Sequence, residues 1–231
     1  MNGVYISHGR IPAALQVACF ETLRASGLER IVAVVPPDSP LHLIDLSPVP
    51  VYLVEMECEK PGGRDHWTRI IAGLSHIEPT DPVALLEHDV MYPPAYAKQG
   101  RAIMPGTVSY AHAVRLCRDG WAMAAELSST AVCLAGDLDT IAGMRLAAKI
   151  RGARVKWDEP GKNPGDPCGR ILEGCPMPGR DPWVPVVDVR HGNNFTGDRA
   201  PTHFGRMPHW GTAAHQWALL GGYKTMNAEN E

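Results

Sequence analysis

Val83-Ala84-Leu85-Leu86-Glu87-His88-Asp89-Val90-Met91-Tyr92-Pro93-Pro94 is the stretch around which the rest of the chain can be arranged. Four apolar residues follow Asp81-Pro82 without a break, the pattern of a strand buried on both faces of a parallel sheet. The run ends in Glu87, His88 and Asp89, and Tyr92-Pro93-Pro94 is expected to stop the strand. In an open α/β sheet, ligands bind beyond the carboxyl ends of the strands. Polar residues there face a crevice, whether as ligands or as caps of a loop. Two carboxylates around one imidazole suit a hard or borderline divalent ion, and such an ion suits a diphosphate.

Upstream, Val4-Tyr5-Ile6-Ser7 reads as a first strand turned by His8-Gly9. Ile11-Pro12 opens a helix on which Leu15, Ala18, Cys19, Thr22 and Leu23 recur at helical spacing, and Ser26-Gly27 ends it. Ile31 to Val35 is a second buried strand, so the unit is β-α-β with parallel strands and a right-handed crossover. Val49 to Val54 follows as an edge strand, because Pro50 interrupts it. Asp65 is expected to cap a helix whose apolar stripe is Trp67, Ile70, Ile71 and Leu74, with Arg69 off the stripe. This order is that of a doubly wound nucleotide-binding half. The chain has neither GxGxxG after the first strand nor GxxxxGK[ST] anywhere, which disfavours ordinary dinucleotide dehydrogenases and P-loop NTPases.

Beyond Gly106 the texture changes. Thr107 to Leu116 and Ala131 to Leu134 are strand-like, Leu138 to Ile150 reads as an amphipathic helix, and residues 158–183 are a Pro- and Gly-crowded loop. Val184 to Val189 returns to strand and runs into Arg190-His191-Gly192-Asn193-Asn194-Phe195. The expected organisation is one domain over 1–231, with a nucleotide-binding half at 1–105 and an acceptor-side half at 106–225.

The 231 residues suffice for a substantial core, and the apolar and charged shares are those of a soluble globular protein. A net charge of −3 hides an asymmetry. Residues 1–143 carry 10 Lys/Arg against 16 Asp/Glu, whereas residues 144–231 carry 12 against 9. The basic second half is compatible with gripping phosphates but does not announce a nucleic-acid binder. No run of about 18 apolar residues is present, so no transmembrane helix is expected. The N-terminus lacks the pattern of a signal peptide. None of the six cysteines forms a CxxC pair. Cys19 and Cys133 read as buried hydrophobes, and the Cys168/Cys175 spacing is not a ligand signature. These features point to a reduced cytoplasm.

The motifs Thr68–Leu74, Ala84–Pro93 and Asp188–Phe195 together resemble the GT-A fold glycosyltransferases, in particular the family-2-like group with its small phage and metagenomic members. The resemblance implies a GT-A-like, Rossmann-related α/β fold: a mostly parallel sheet flanked by helices, with an acceptor-side second half. It implies a metal-dependent glycosyltransferase moving a sugar from a nucleoside-diphosphate sugar to an acceptor hydroxyl, a modified base in phage-type DNA among the acceptors it permits. The cellular setting implied is the cytoplasm, that of the host for a phage-encoded enzyme. In this family a strand-end DxD motif holds the metal. Here it stands as Glu87-His88-Asp89, so Asp89 is the metal ligand implied, and Glu87 departs from the pattern and is assigned to the donor instead. A late histidine, His191, is the second ligand implied. Arg69 matches the basic residue on the preceding helix, and His8, Arg10 and Arg190 complete the donor side.

A Mn²⁺ or Mg²⁺ ion held there would stabilise the diphosphate leaving group. An inverting enzyme also needs a carboxylate base, for which Glu159 and then Asp158 are the candidates, with Glu126 and Asp137 as rivals. Trp157, Trp183 and Trp210 could stack on a sugar or base, though packing is their default role. Two alternatives stand beside this reading: a nucleotidyltransferase, which would release pyrophosphate, and a non-catalytic module that only binds nucleotide sugars.

Overall fold

The computed structural model describes residues 1–9, 11–57, 63–99, 109–111, 113–117, 121–125, 130–136, 175–176, 184–190, 203–207 and 209–220. The first strands are β1 (Asn2–Ile6), β2 (Arg30–Val35), β3 (Val51–Glu55), β4 (Pro82–Glu87) and β5 (Val90–Met91). Then come β6 (Ser109–Tyr110), β7 (Ala113–Leu116), β8 (Ala122–Ala125), β9 (Ala131–Leu134) and β10 (Cys175–Pro176). The last are β11 (Val186–Val189), β12 (His203–Phe204), β13 (Arg206–Met207) and β14 (Gly211–Thr212). A first sheet has the order β10-β6-β9-β4-β1-β2-β3, a second has β12-β8-β7-β11-β5, and β13 and β14 form a ribbon.

In the first sheet β4, β1, β2 and β3 are all parallel. Beyond β4 the sheet continues with β9, which runs antiparallel to it. The architecture is α/β, a mostly parallel central sheet flanked by helices, as expected. The two faces of this sheet follow from strict alternation along its strands. Tyr5, Ala33, Val35, Ala84 and Leu86 pack on one side with Phe20 and Leu23. Val4, Ile6, Val32, Val34, Val83 and Leu85 pack on the other with Ile70 and Leu74. Burial on both faces is why these strands read as continuous apolar runs rather than as alternating ones.

Helix α1 (Ala13–Glu21) has Pro12 at its N-cap and continues into a 3₁₀ turn at Thr22–Ala25. It serves two cores. Phe20 faces the first sheet, while Leu15 and Cys19 join Val114, Leu116, Val187, Val189 and Trp217 beneath the second. Helix α2 (Gly63–Leu74) packs close on β1 through Gly73, where an added Cβ would lie 2.5 Å from Val4 Cγ1.

Several expectations shift. The strand from Val83 does not run to Tyr92. It ends at Glu87, turns at His88-Asp89, and resumes as β5 in the second sheet, antiparallel to β11. The Thr107–Leu116 strand divides likewise, with Ser109–Tyr110 in one sheet and Ala113–Leu116 in the other. Asp65 sits inside the first turn of α2 rather than capping it. Val51–Glu55 is an edge strand, as Pro50 suggested. Within the 158–183 loop, Cys175–Pro176 forms a short strand on β6. Leu138–Ile150 lies outside the described residues. No helix among the described residues is long and apolar enough to cross a membrane.

Candidate functional site at the carboxyl ends of β1 and β4

In the order β3-β2-β1-β4 the connections reverse direction between β1 and β4, which creates a crevice beyond the carboxyl ends of that pair. Ile6 is in register with Glu87, so the residues that follow each strand meet: Ser7 and His8 from one, His88 and Asp89 from the other. Gly9, at φ +67°, turns the chain there, and an added Cβ would strike Pro36 Cγ at 2.8 Å.

Two hydrogen-bonded chains line this junction. In the first, Ser7 Oγ accepts from Gln16 Nε2 at 2.9 Å and from the Gly9 N–H at 3.2 Å. With its acceptor sites taken, the Ser7 hydroxyl proton points to His88 Nδ1, 3.1 Å away. The His8 N–H also approaches that nitrogen, at 3.4 Å. Nδ1 of His88 is therefore an acceptor, and its ring proton sits on Nε2. In the second chain, His8 Nδ1 lies 2.5 Å from Asp65 Oδ2, which also receives Arg69 Nε at 2.9 Å. Arg69 Nη2 donates to the carbonyl of Met56 at 3.0 Å. Burial by itself would raise the pKa of Asp65, but the hydrogen bonds from His8 and Arg69 and the charge of Arg69 outweigh it. The carboxyl is left below its ordinary value and stays ionised.

His66, one residue on from Asp65, stacks against His8 with ring centroids 5.8 Å apart. Burial, reinforced by His8 and His88, pushes its pKa down to about 3 from the ordinary 6.5. The folded chain thus binds fewer protons than the unfolded chain between these two values. His66 contributes stability that is fully present above pH 6.5 and is lost as pH falls toward 3. In urea titrations, His66→Asn is expected to flatten the dependence of stability on pH between 7 and 5. Equal slopes in wild type and variant would refute this.

From the other side, β11 reaches the same place. The Val189 N–H donates to the Asp89 carbonyl at 2.8 Å, which brings Arg190 beside the end of β4. Arg115 Nε and Arg190 Nε lie 3.6 and 4.0 Å from Asp188 Oδ2. Asp89 and Arg190 are both buried. The pKa of the Cys19 thiol is raised well above its usual range, by burial first and then by the charges of Asp89 and Asp188, so the cysteine stays a thiol. Glu87 is half-buried, and its N–H donates to the Tyr92 hydroxyl at 2.8 Å.

Of the residues singled out in the sequence, the structure places His8, Glu87 and Asp89 at the carboxyl ends of β1 and β4, Arg69 behind Asp65 at 0% exposure, and Arg190 one residue past the hydrogen bond from Val189 to Asp89. Arg10, Asp158, Glu159 and His191 lie outside the described residues, as do Glu126, Asp137, Trp157 and Trp183. Trp210 is held by its indole N–H on the carbonyl of Pro185, a packing role. Ser7, Gln16 and His66 escaped the sequence reading. A serine, a glutamine and a histidine scattered over three elements carry no spacing signal, and only the register of β1 on β4 unites them. Among the described residues no three His, Cys, Asp or Glu side chains are arranged to hold a metal ion.

No protein-family model matches the chain, and neither does any curated protein. Solved structures do resemble it, at low identity. The 4-diphosphocytidyl-2C-methyl-D-erythritol synthase of Anaerococcus prevotii is 10% identical, over 60-odd per cent of this chain (63%) and 74% of that one, with a TM-score of 0.44. The inositol-1-phosphate CTP transferase of T. maritima is 12% identical over 63% and 74%, at 0.43. A nucleotidyl transferase of Methanothermobacter thermautotrophicus is 12% identical over 62% and 74%, at 0.40. Likeness of this degree transfers no activity. It does correct the resemblance to family-2 glycosyltransferases, because the neighbours found are nucleotidyl-transferring proteins of a different group. The physical reason lies in the motifs themselves: an acid at the end of a central strand is common to α/β crevices, and two of Arg69's nitrogens are engaged within the protein.

Proposed function

We propose that the chain is a nucleotide-dependent transferase that binds its donor across the carboxyl ends of β1 and β4 and transfers a nucleotidyl group, releasing pyrophosphate. The observation that carries this reading is the meeting of Ser7-His8 with His88-Asp89 at the reversal point of the sheet, with Arg190 brought alongside by β11. Imidazole N–H groups and a guanidinium suit the oxygens of a polyphosphate.

The metal follows the same logic. Among the described residues Asp89 supplies a single carboxylate, which does not make a cage for a divalent ion. Mg²⁺ is commonly held by one or two carboxylates together with substrate phosphates, so Asp89 would hold Mg²⁺ or Mn²⁺ once a nucleotide is present. The ion would supply charge neutralisation at the phosphates.

Thermal shift with a panel of nucleoside triphosphates and nucleotide sugars, with and without Mn²⁺, tests the reading. One nucleotide at a hundredfold excess over its Kd is expected to add about 2.7 kcal/mol of stability. The shift should require metal and vanish in Asp89→Ala. Product analysis then separates the chemistries: nucleotidyl transfer releases pyrophosphate, while sugar transfer from a nucleoside-diphosphate sugar releases the nucleoside diphosphate. A panel in which no nucleotide stabilises the protein refutes the proposal.

A further inference from the structure

The residues around the crevice include a chain of three that runs from the core outward. Arg69 is 0% exposed, the Asp65 side chain 12% and the His8 side chain 19%. Arg69 is anchored on the carbonyl of Met56 and on Asp65, and Asp65 in turn holds His8. An ionised carboxylate only accepts hydrogen bonds. Its contact with His8 Nδ1 therefore places a ring proton on that nitrogen and leaves Nε2 as the nitrogen that can carry the lone pair. His8 directly follows β1, in the turn that meets His88. Its ring is further fixed by His66, stacked at 5.8 Å, and by His88, edge-on at 5.7 Å. A buried anchor, an orienting carboxylate and an outermost imidazole of set tautomer are the parts of a general base, by the logic that generalises the serine-protease dyad.

We infer that His8 is the general base of the transfer reaction, with Asp65 and Arg69 as its positioning residues, and that the acceptor attacks through a hydroxyl. The inference rests on the nucleotide-dependent reading above and adds the class of acceptor. An acceptor that attacks through a phosphate is already anionic and needs no base; a hydroxyl does. In the step, the acceptor O–H proton passes to His8 Nε2 as the oxygen bonds to the α-phosphorus. The bond from phosphorus to the bridging oxygen breaks, pyrophosphate leaves with that electron pair, and the imidazolium returns its proton to solvent.

Water is itself a hydroxyl acceptor, so hydrolysis of the donor reads the base without knowledge of the natural acceptor. The full chain, its His8→Gln and Asp65→Asn variants, and the nucleotides of the thermal-shift panel are the materials. Both variants are expected to lower kcat for donor hydrolysis by about a hundredfold or more, in line with general-base contributions. KM should stay within threefold and the nucleotide-induced thermal shift should persist. Imidazole added to His8→Ala should restore part of the rate, which a purely structural role would not allow. Independently of turnover, nitrogen-15 NMR should show His8 as the Nδ1–H tautomer in the wild type and altered in Asp65→Asn.

Loss of the thermal shift in His8→Gln, with KM rising in step, would make His8 a binding residue and overturn the inference. So would a His8→Gln rate within threefold of wild type, an Nε2–H tautomer, or a wild type that binds nucleotide yet hydrolyses none. If no nucleotide binds at all, the broader reading fails and the inference goes with it. Binding without an effect of His8 sinks the inference alone.

Discussion

Asp65→Ala is expected to lower folding stability by about 3–5 kcal/mol, the range found when one partner of a buried ion pair is removed. The cost comes from what is left behind. Arg69 lies within the protein at 0% exposure, and its Nε loses the only carboxylate that the described structure gives it. The carbonyl of Met56 still accepts from Nη2, but a carbonyl does not neutralise a guanidinium. Among the described residues Arg69 Nη1 has no hydrogen-bond partner even in the wild type, so the cation has little in reserve. Adding Arg69→Met to Asp65→Ala should recover most of the loss, because an apolar pair of similar bulk removes the unpaired charge.

The pH dependence has a definite sign. The folded pKa of Asp65 lies below its ordinary value of 3.8, so its contribution is present above that value and disappears as pH falls through the lower, folded value. Urea unfolding of the wild type, Asp65→Ala, Arg69→Met and the double variant at pH 7, read as a change in midpoint at constant m, measures the cycle. A single mutant that loses less than 1 kcal/mol would show that Arg69 has found another partner.

Leu86→Ala is the second large expected effect, a loss of about 2–5 kcal/mol. Leu86 is fully buried in β4, between β1 and β9 in the first sheet. It also fills the space above Gly3, where an added Cβ would lie 2.8 Å from Leu86 Cδ1 and 3.1 Å from Leu28 Cδ1. Truncating Leu86 opens a gap that a glycine neighbour cannot close. Gly3→Ala should therefore reverse its sign between backgrounds. In the wild type the new methyl overpacks and destabilises; in Leu86→Ala it refills part of the gap and stabilises. Equal effects in the two backgrounds would mean that the site relaxes on its own.

These two residues also show what could be read from sequence and what could not. Leu86 sits in an apolar run whose length and flanking residues announce a buried strand of a parallel sheet, while its pairing with β1 came only from the structure. Asp65 looked like a helix cap, because in sequence an acid near a helix start has that role by default. Its real partners are 57 residues upstream and one helical turn downstream. Contacts of the first kind depend on the register of β1, β4 and α2, and no local pattern encodes register between distant segments. The break at His88-Asp89 was missed for a related reason. Val90-Met91-Tyr92 has the same apolar texture as Val83–Leu86, and texture does not say which sheet a strand joins. Tyr92-Pro93 looked like the stop, whereas the chain had already changed sheets.

That change of sheet has a mechanical consequence. His88 and Asp89 are the only two residues between β4 in one sheet and β5 in the other, and the hydrogen bond from Val189 to the Asp89 carbonyl ties β11 to the same joint. A second short joint lies between Tyr110 and Ala113, so the two sheets are linked at two places close in sequence to strand ends. Because Asp89 stands in the first joint, its carbonyl is fixed to the second sheet through Val189 while the strand that leads into it belongs to the first.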